Sequence, residues 1–333
     1  MKTRILSQRG PHVSAIGLGC MALSDVYGPS DRKESIATIH AAMEAGITLL
    51  DTGDFYSIGD NELLIREALQ KDRRKDILLS VKFGEMRDPS GGWNGLDNRP
   101  KAVKNFLSYS LKRLGTDYID IYRPARLDPA VPIEDTICAI AEMVKAGYVR
   151  YIGLSEVGVQ TIRRAANTHP IVDLQIEYSL ISRGLESPIL DTCRELGIGI
   201  TAYGVLSRGL ISGHWTSDRG TAGDSRGRMP RFAPENLSHN LSLVENLRSI
   251  AKSKGVSVAQ LAVAWVLNKG DDIVPLIGAR RRDQLKEALG AMDVSLTDDD
   301  ISRIEIAVPK GSAAGNRYPP QLMARLDGGH HYG

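Results

Sequence analysis

Short apolar runs alternate with amphipathic stretches along almost the whole chain. Runs at 15–19, 47–51, 77–81, 118–122, 152–154, 171–175, 198–202 and 273–277 have the length and β-branched content of buried strands. Between or after them, 32–45, 61–70, 100–114, 132–146, 158–166, 188–196, 257–268 and 282–289 carry apolar residues at helical spacing. Asn61 is placed to cap the second of these helices and Ser257 the seventh. Gly46, Gly115, Gly147 and Gly197 follow helices where a left-handed residue ends the last turn. Eight such βα units without a linker predict one domain, 1–333, folded as a single (β/α)8 TIM barrel. Residues 3–6 and 11–14, joined across Gln8-Arg9-Gly10, predict an N-terminal β-hairpin. Additional helices are expected at 241–254 and 297–308, followed by a tail, 311–333.

An open doubly wound sheet is the weaker alternative. Gly17-Leu18-Gly19-Cys20-Met21-Ala22 fits G-x-G-x-x-A, but a loop at 25–30 follows rather than a helix, so the fingerprint lacks its context. Long loops at 84–98 and 209–238 interrupt the alternation after the third and seventh strands. In a barrel both rise from the carboxyl-end face, where active sites are built.

Composition narrows the function without naming it. Charged residues make up 25%, the formal net charge is +2 and no basic block stands out, so nucleic acid is not an expected partner. No apolar signal region or membrane-length run is present, so no membrane partner is expected. The three cysteines lack metal-like spacing and cannot all pair, which points to a reducing, cytoplasmic compartment. The seven histidines are scattered apart from His330-His331 in the tail, and no metal site is expected. Nothing in the chain specifies the oligomeric state.

Three residues carry chemistry. Asp51 and Tyr56 end the second strand, in Asp51-Thr52-Gly53-Asp54-Phe55-Tyr56, and Lys82 ends the third. Together at one barrel mouth they make a proton donor. A lysine cation lowers a phenol from its usual pKa of about 10 toward neutrality, and an aspartate keeps that lysine charged and in place.

These motifs resemble the aldo-keto reductase superfamily over nearly the whole chain. The second-strand motif and Lys82 are joined, in order, by Gly153-Leu154-Ser155, Gln175-Ile176-Glu177-Tyr178, Ala202-Tyr203-Gly204-Val205-Leu206-Ser207-Arg208-Gly209 and Val274-Pro275-Leu276-Ile277-Gly278. The resemblance implies NADPH as hydride donor, a small carbonyl substrate, Tyr56 as general acid, and Asp51 and Lys82 as its tuning pair. It implies Ser155 and Gln175 at the nicotinamide carboxamide, Tyr203 stacked on the ring, and the pyrophosphate under the loop that begins Ser207-Arg208-Gly209. It places Arg281, with Arg280 and Gln284, at the 2′-phosphate, where a guanidinium fork suits the anion. Gly19, Met21, Gly204, Leu206, Ile277, Gly278 and Glu287 complete the implied cofactor contacts.

The chain departs from the family at two points near the chemistry. Ala125 stands in Arg123-Pro124-Ala125-Arg126-Leu127-Asp128-Pro129 where the family has its fourth catalytic residue, a histidine. Glu156 follows Ser155 where asparagine is usual. The Ala-Arg-x-Asp-Pro segment resembles the microbial pyridoxal reductase branch, whose substrate carries a phenol beside its aldehyde. Trp93, Arg123 and Ala125 are the expected substrate-pocket residues. The alternative is an NADPH-binding redox sensor or regulatory subunit with little turnover.

Overall fold

The computed structural model describes residues 1–186, 188–216 and 224–327, with the side chains of 71 and 72 excepted. Eight parallel strands close into a barrel in chain order. They are Gly17–Gly19, Leu49–Gly53, Leu78–Phe83, Ile119–Pro124, Val149–Ser155, Ile171–Glu177, Gly199–Tyr203 and Ile273–Ile277. The first pairs with the eighth through Leu276↔Gly17 and Ile277↔Leu18, which leaves no barrel edge open. Most barrel-strand residues are buried. That is why the strands read as continuous apolar runs rather than alternating ones.

The helices cover the outside. Pro100–Leu114 and Arg282–Leu289 keep the bounds expected from spacing, and Ser257 caps Val258–Asn268 in a reciprocal pair with Gln260. Asn61 is not a cap. The second helix, Asp60–Arg73, starts after Gly59, whose φ is 91°. Asn61 is buried in its first turn, donates to the Cys20 carbonyl and Ser24 Oγ, and accepts from Thr52 Oγ1. Its amide therefore ties the loop after the first strand to the second strand. The helix expected at 241–254 runs from Pro234 to Ser253, because Pro234 is a good first helical residue.

The N-terminal hairpin, Thr3–Ile5 with His12–Ser14, closes the amino-terminal end of the barrel. Leu6 is fully buried there with Val13, Leu49, Ile121, Val172, Val274 and Leu276. A Cβ on Gly199 would lie 1.8 Å from the Leu6 carbonyl oxygen, so only glycine lets the plug seat. At the opposite face, the 84–98 loop forms its own hairpin, Glu85–Arg87 with Trp93–Leu96. Part of the 209–238 loop and His330-His331 lie outside the described residues.

Candidate active site

The carboxyl-end face opens into a cavity of about 590 Å³. Its floor is the Asp51–Lys82 pair. Lys82 Nζ donates to Asp51 Oδ1 and to the Thr52 carbonyl, the latter at 2.9 Å. Asp51 Oδ2 accepts from Ser80 Oγ and from Gln175 Nε2, each at 2.7 Å. Strands two, three and six thus hold one carboxylate from three sides. Tyr56 leaves the second strand through a turn in which Ser57 and Ile58 have φ of 45° and 53°. Left-handed backbone at a β-branched residue is strained, and such strain persists only where its surroundings enforce it. Ser57 Oγ donates to the Ser24 carbonyl and so fixes that turn. The Tyr56 ring meets Phe55 edge-on at 4.9 Å, and Lys82 Nζ lies 5.0 Å from its centroid.

One electrostatic expectation is corrected here. Tyr56 is not brought toward neutrality: burial, with the Asp51 and Glu85 carboxylates, pushes its phenol well above the ordinary value. Burial lowers the Lys82 ammonium, and the bond to Asp51 opposes that shift. The charge of Lys82 is directed at Asp51 and a carbonyl, and it faces the Tyr56 ring.

The expected cofactor residues gather on this cavity. Gly19 and Met21 from the first loop line it beside Asp51, Ser155 and Gln175. The seventh strand and its loop add Tyr203, Gly204, Leu206, Ser207, Arg208 and Gly209. The eighth strand and following helix add Ile277, Gly278, Arg280, Arg281, Gln284 and Glu287. Two hydroxyls on the wall, Ser155 Oγ and Ser207 Oγ, are buried without a hydrogen-bond partner. Unsatisfied buried groups in a cavity mark places for a ligand's polar atoms.

The three arginines at 280–282 all have protein partners. Arg280 Nη1 donates to the Tyr27 carbonyl, Arg281 pairs with Asp283, and Arg282 pairs with Glu34. Cations at a helix start are unfavourable without nearby negative charge, and here Asp283 and Glu34 supply it. Arg282 does not line the cavity. Arg281 does, and its pair with Asp283 is more than half exposed. An exposed pair is worth about 0–1 kcal/mol, so a phosphate can displace it.

All three expected substrate-pocket residues lie off the cavity. Trp93 is on the outer hairpin, 41% exposed, with the Arg325 guanidinium 3.4 Å from its ring centroid. Arg123 is fully buried inside the barrel. Its Nη1 pairs with Asp173 Oδ2 at 3.0 Å, and its Nη2 donates to Ser80 Oγ at 2.9 Å. A Cβ at Gly153 would strike Asp173 Oδ1 at 2.4 Å, so the pair occupies space that this glycine leaves. Ala125 has no exposed surface either.

Residues not expected from the sequence line the cavity instead. Glu85, Arg87 and Arg126 line the cavity, as do Tyr27 and Tyr318. Tyr318 comes from the tail. Tyr203 Oη donates to Glu156 Oε1 at 2.7 Å and lies 3.1 Å from Tyr318 Oη. Glu156 Oε2 is bound by Arg317 Nη2, and Arg317 Nη1 reaches Glu156 Oε1 at 2.9 Å. Burial pushes the Glu156 carboxyl up, but the Arg317 guanidinium outweighs it and holds the pKa at about 2. The change from asparagine to Glu156 was visible in the sequence. Its partner, 161 positions away, was not.

The Aldo/keto reductase family model matches residues 15–309. This chain belongs to the aldo/keto reductase family. Membership makes it an oxidoreductase of carbonyl compounds. It is 41% identical over 319 residues to the NADP(+) aldo-keto reductase yakc of Schizosaccharomyces pombe, covering 94% of each chain. It is 40% identical over 316 residues to a probable aldo-keto reductase 1 of Glycine max, covering 94% of this chain and 90% of the relative. Among solved structures, a glycerol dehydrogenase of Gluconobacter oxydans superposes with a TM-score of 0.83 at 25% identity, over 92% of this chain and 94% of that one. The holo form of an aldo-keto reductase of Bacillus halodurans superposes with a TM-score of 0.77 at 28% identity, over 95% and 99%.

Proposed function

We propose that this reductase uses NADPH to convert aldehydes, ortho-hydroxy aromatic aldehydes such as pyridoxal and some ketones among them, to alcohols, with Tyr56 as the general acid. The observation that carries this is the meeting of Asp51, Tyr56 and Lys82 in one cavity with two unpartnered hydroxyls, Ser155 and Ser207. Those hydroxyls and Gln175 suit the carboxamide and phosphate oxygens of the dinucleotide, and Arg281 suits its 2′-phosphate. NADPH, when bound, supplies the hydride. The chain's own part is to hold the carbonyl oxygen at Tyr56 Oη and give it a proton. Asp51 keeps Lys82 charged, and Lys82 stabilises the phenolate that remains after transfer. The three unpaired cysteines suit a reducing, cytoplasmic setting.

The test is NADPH fluorescence decay with a panel of aldehydes that includes pyridoxal. Aldehyde-dependent decay with alcohol formed in equal amount supports the reading. Tight NADPH binding without decay across the panel would favour the sensor.

A further inference from the structure

One cation on the cavity wall is left unused by the chemistry above. Arg126 lines the cavity together with Tyr56. Its Nη1 donates to the Ala125 carbonyl at 2.6 Å, which holds the guanidinium against residue 125. Ala125 itself exposes nothing. The donor that this part of the wall presents is therefore a guanidinium rather than anything from position 125.

The other charges around the cavity are matched. Lys82 has Asp51, Arg87 has Glu85, Arg208 has Glu177, and Arg281 has Asp283. Glu156, the acid nearest in kind to a partner for Arg126, is held by Arg317. Among the described residues, no carboxylate pairs with Arg126. Arg126 lines the cavity, and a guanidinium with five N–H donors and one bond to a carbonyl has donors left for a ligand. Burial disfavours the Arg126 charge and the nearby Glu156 and Glu85 carboxylates favour it, but neither carboxylate bonds to it, so a ligand anion can still take its remaining N–H groups.

We propose that Arg126 is a substrate-binding residue that selects aldehydes carrying an anionic oxygen, as carboxylate, phosphate or phenolate, close to the carbonyl group. This rests on the carbonyl-reduction reading and deepens it. Arg126 fits the anion by charge and by its planar fork. Tyr56 remains the proton donor. Two features of one wall then act on two groups of one substrate.

The test compares 2-, 3- and 4-carboxybenzaldehyde with the corresponding nitrobenzaldehydes, which match them in shape but carry no net charge. Arg126→Gln is expected to lower the carboxy-to-nitro ratio of kcat/KM by about tenfold to hundredfold for at least one position, the usual worth of a charge-assisted bond. Arg126→Lys should recover part of the ratio. A ratio that moves less than threefold in Arg126→Gln, with nitrobenzaldehydes still turned over, would overturn the role of Arg126 alone. Failure of the unmodified enzyme on both series would count against the reductase reading instead. A second measurement needs no variant. Calorimetry on the NADPH complex should show benzoate binding at least tenfold tighter than benzamide, and equal affinities would overturn the proposal.

Discussion

Lys82 is committed to Asp51 and to the Thr52 carbonyl before any substrate arrives. The pair is a prepared charge arrangement rather than a free cation seeking the phenol. Two residue-level predictions follow from neighbours of this arrangement. Ala125→His inserts a ring where no surface is exposed and where the Arg126 guanidinium rests on the backbone. Overpacking of this kind costs about 1–3 kcal/mol. Urea titration should show that loss, and unchanged stability would mean that the wall has spare room. Arg281→Ala should weaken NADPH by about tenfold or more, within the 1.5–3 kcal/mol range of a charge-assisted contact. NADH, lacking the 2′-phosphate, should change far less. Fluorescence titration of both nucleotides decides it, and equal losses would make Arg281 structural.

At the level of elements, the tail behaves as part of the site. Arg317 is buried with Glu156 and Glu177, and its neighbour Tyr318 reaches Tyr203. Breaking a buried pair from one side costs about 3–5 kcal/mol, because the other charge is left without compensation. Arg317→Met should therefore destabilise the protein and shift the pH at which it loses stability. The sign follows from Glu156, whose folded pKa of about 2 lies below its unfolded value. Its contribution is full above about pH 4.3 and is lost as the pH falls toward 2. The gap in stability between the two proteins should be widest above that range and narrow as acid is added. A gap independent of pH would show that Glu156 does not mediate it. The same element shows where sequence reading stops. The eight strands were legible because burial on both faces makes them continuous apolar runs, and Asp51, Tyr56 and Lys82 were legible because they close two of those runs. Cofactor residues in loops were found through motif order. Arg317 and Tyr318 were not, because nothing local marks a tail segment that pairs with a strand end far upstream. Arg123 misled for the opposite reason. It was expected in the pocket beside Ala125, whereas its side chain points into the barrel against Asp173 and Ser80.

For the whole molecule, ring closure and the Leu6 plug make a rigid frame whose loops at one face form the cavity. A ligand that binds only the folded barrel stabilises it by mass action. NADPH at a hundred times its dissociation constant should add about 2.7 kcal/mol to unfolding stability. A melting temperature unmoved by saturating NADPH would contradict the cavity's assignment as the nucleotide site. The central claim is that Tyr56 delivers the proton from this frame, and Tyr56→Phe tests it most directly. The variant keeps the ring and its packing but removes the hydroxyl. Under saturating NADPH, single-turnover reduction of an aldehyde should fall by about two orders of magnitude or more, the usual worth of general acid catalysis. NADPH affinity should change little. In the unmodified enzyme, the raised Tyr56 pKa keeps the donor protonated through neutral pH. Near-normal turnover in Tyr56→Phe would contradict the account, because the proton would then come from another group.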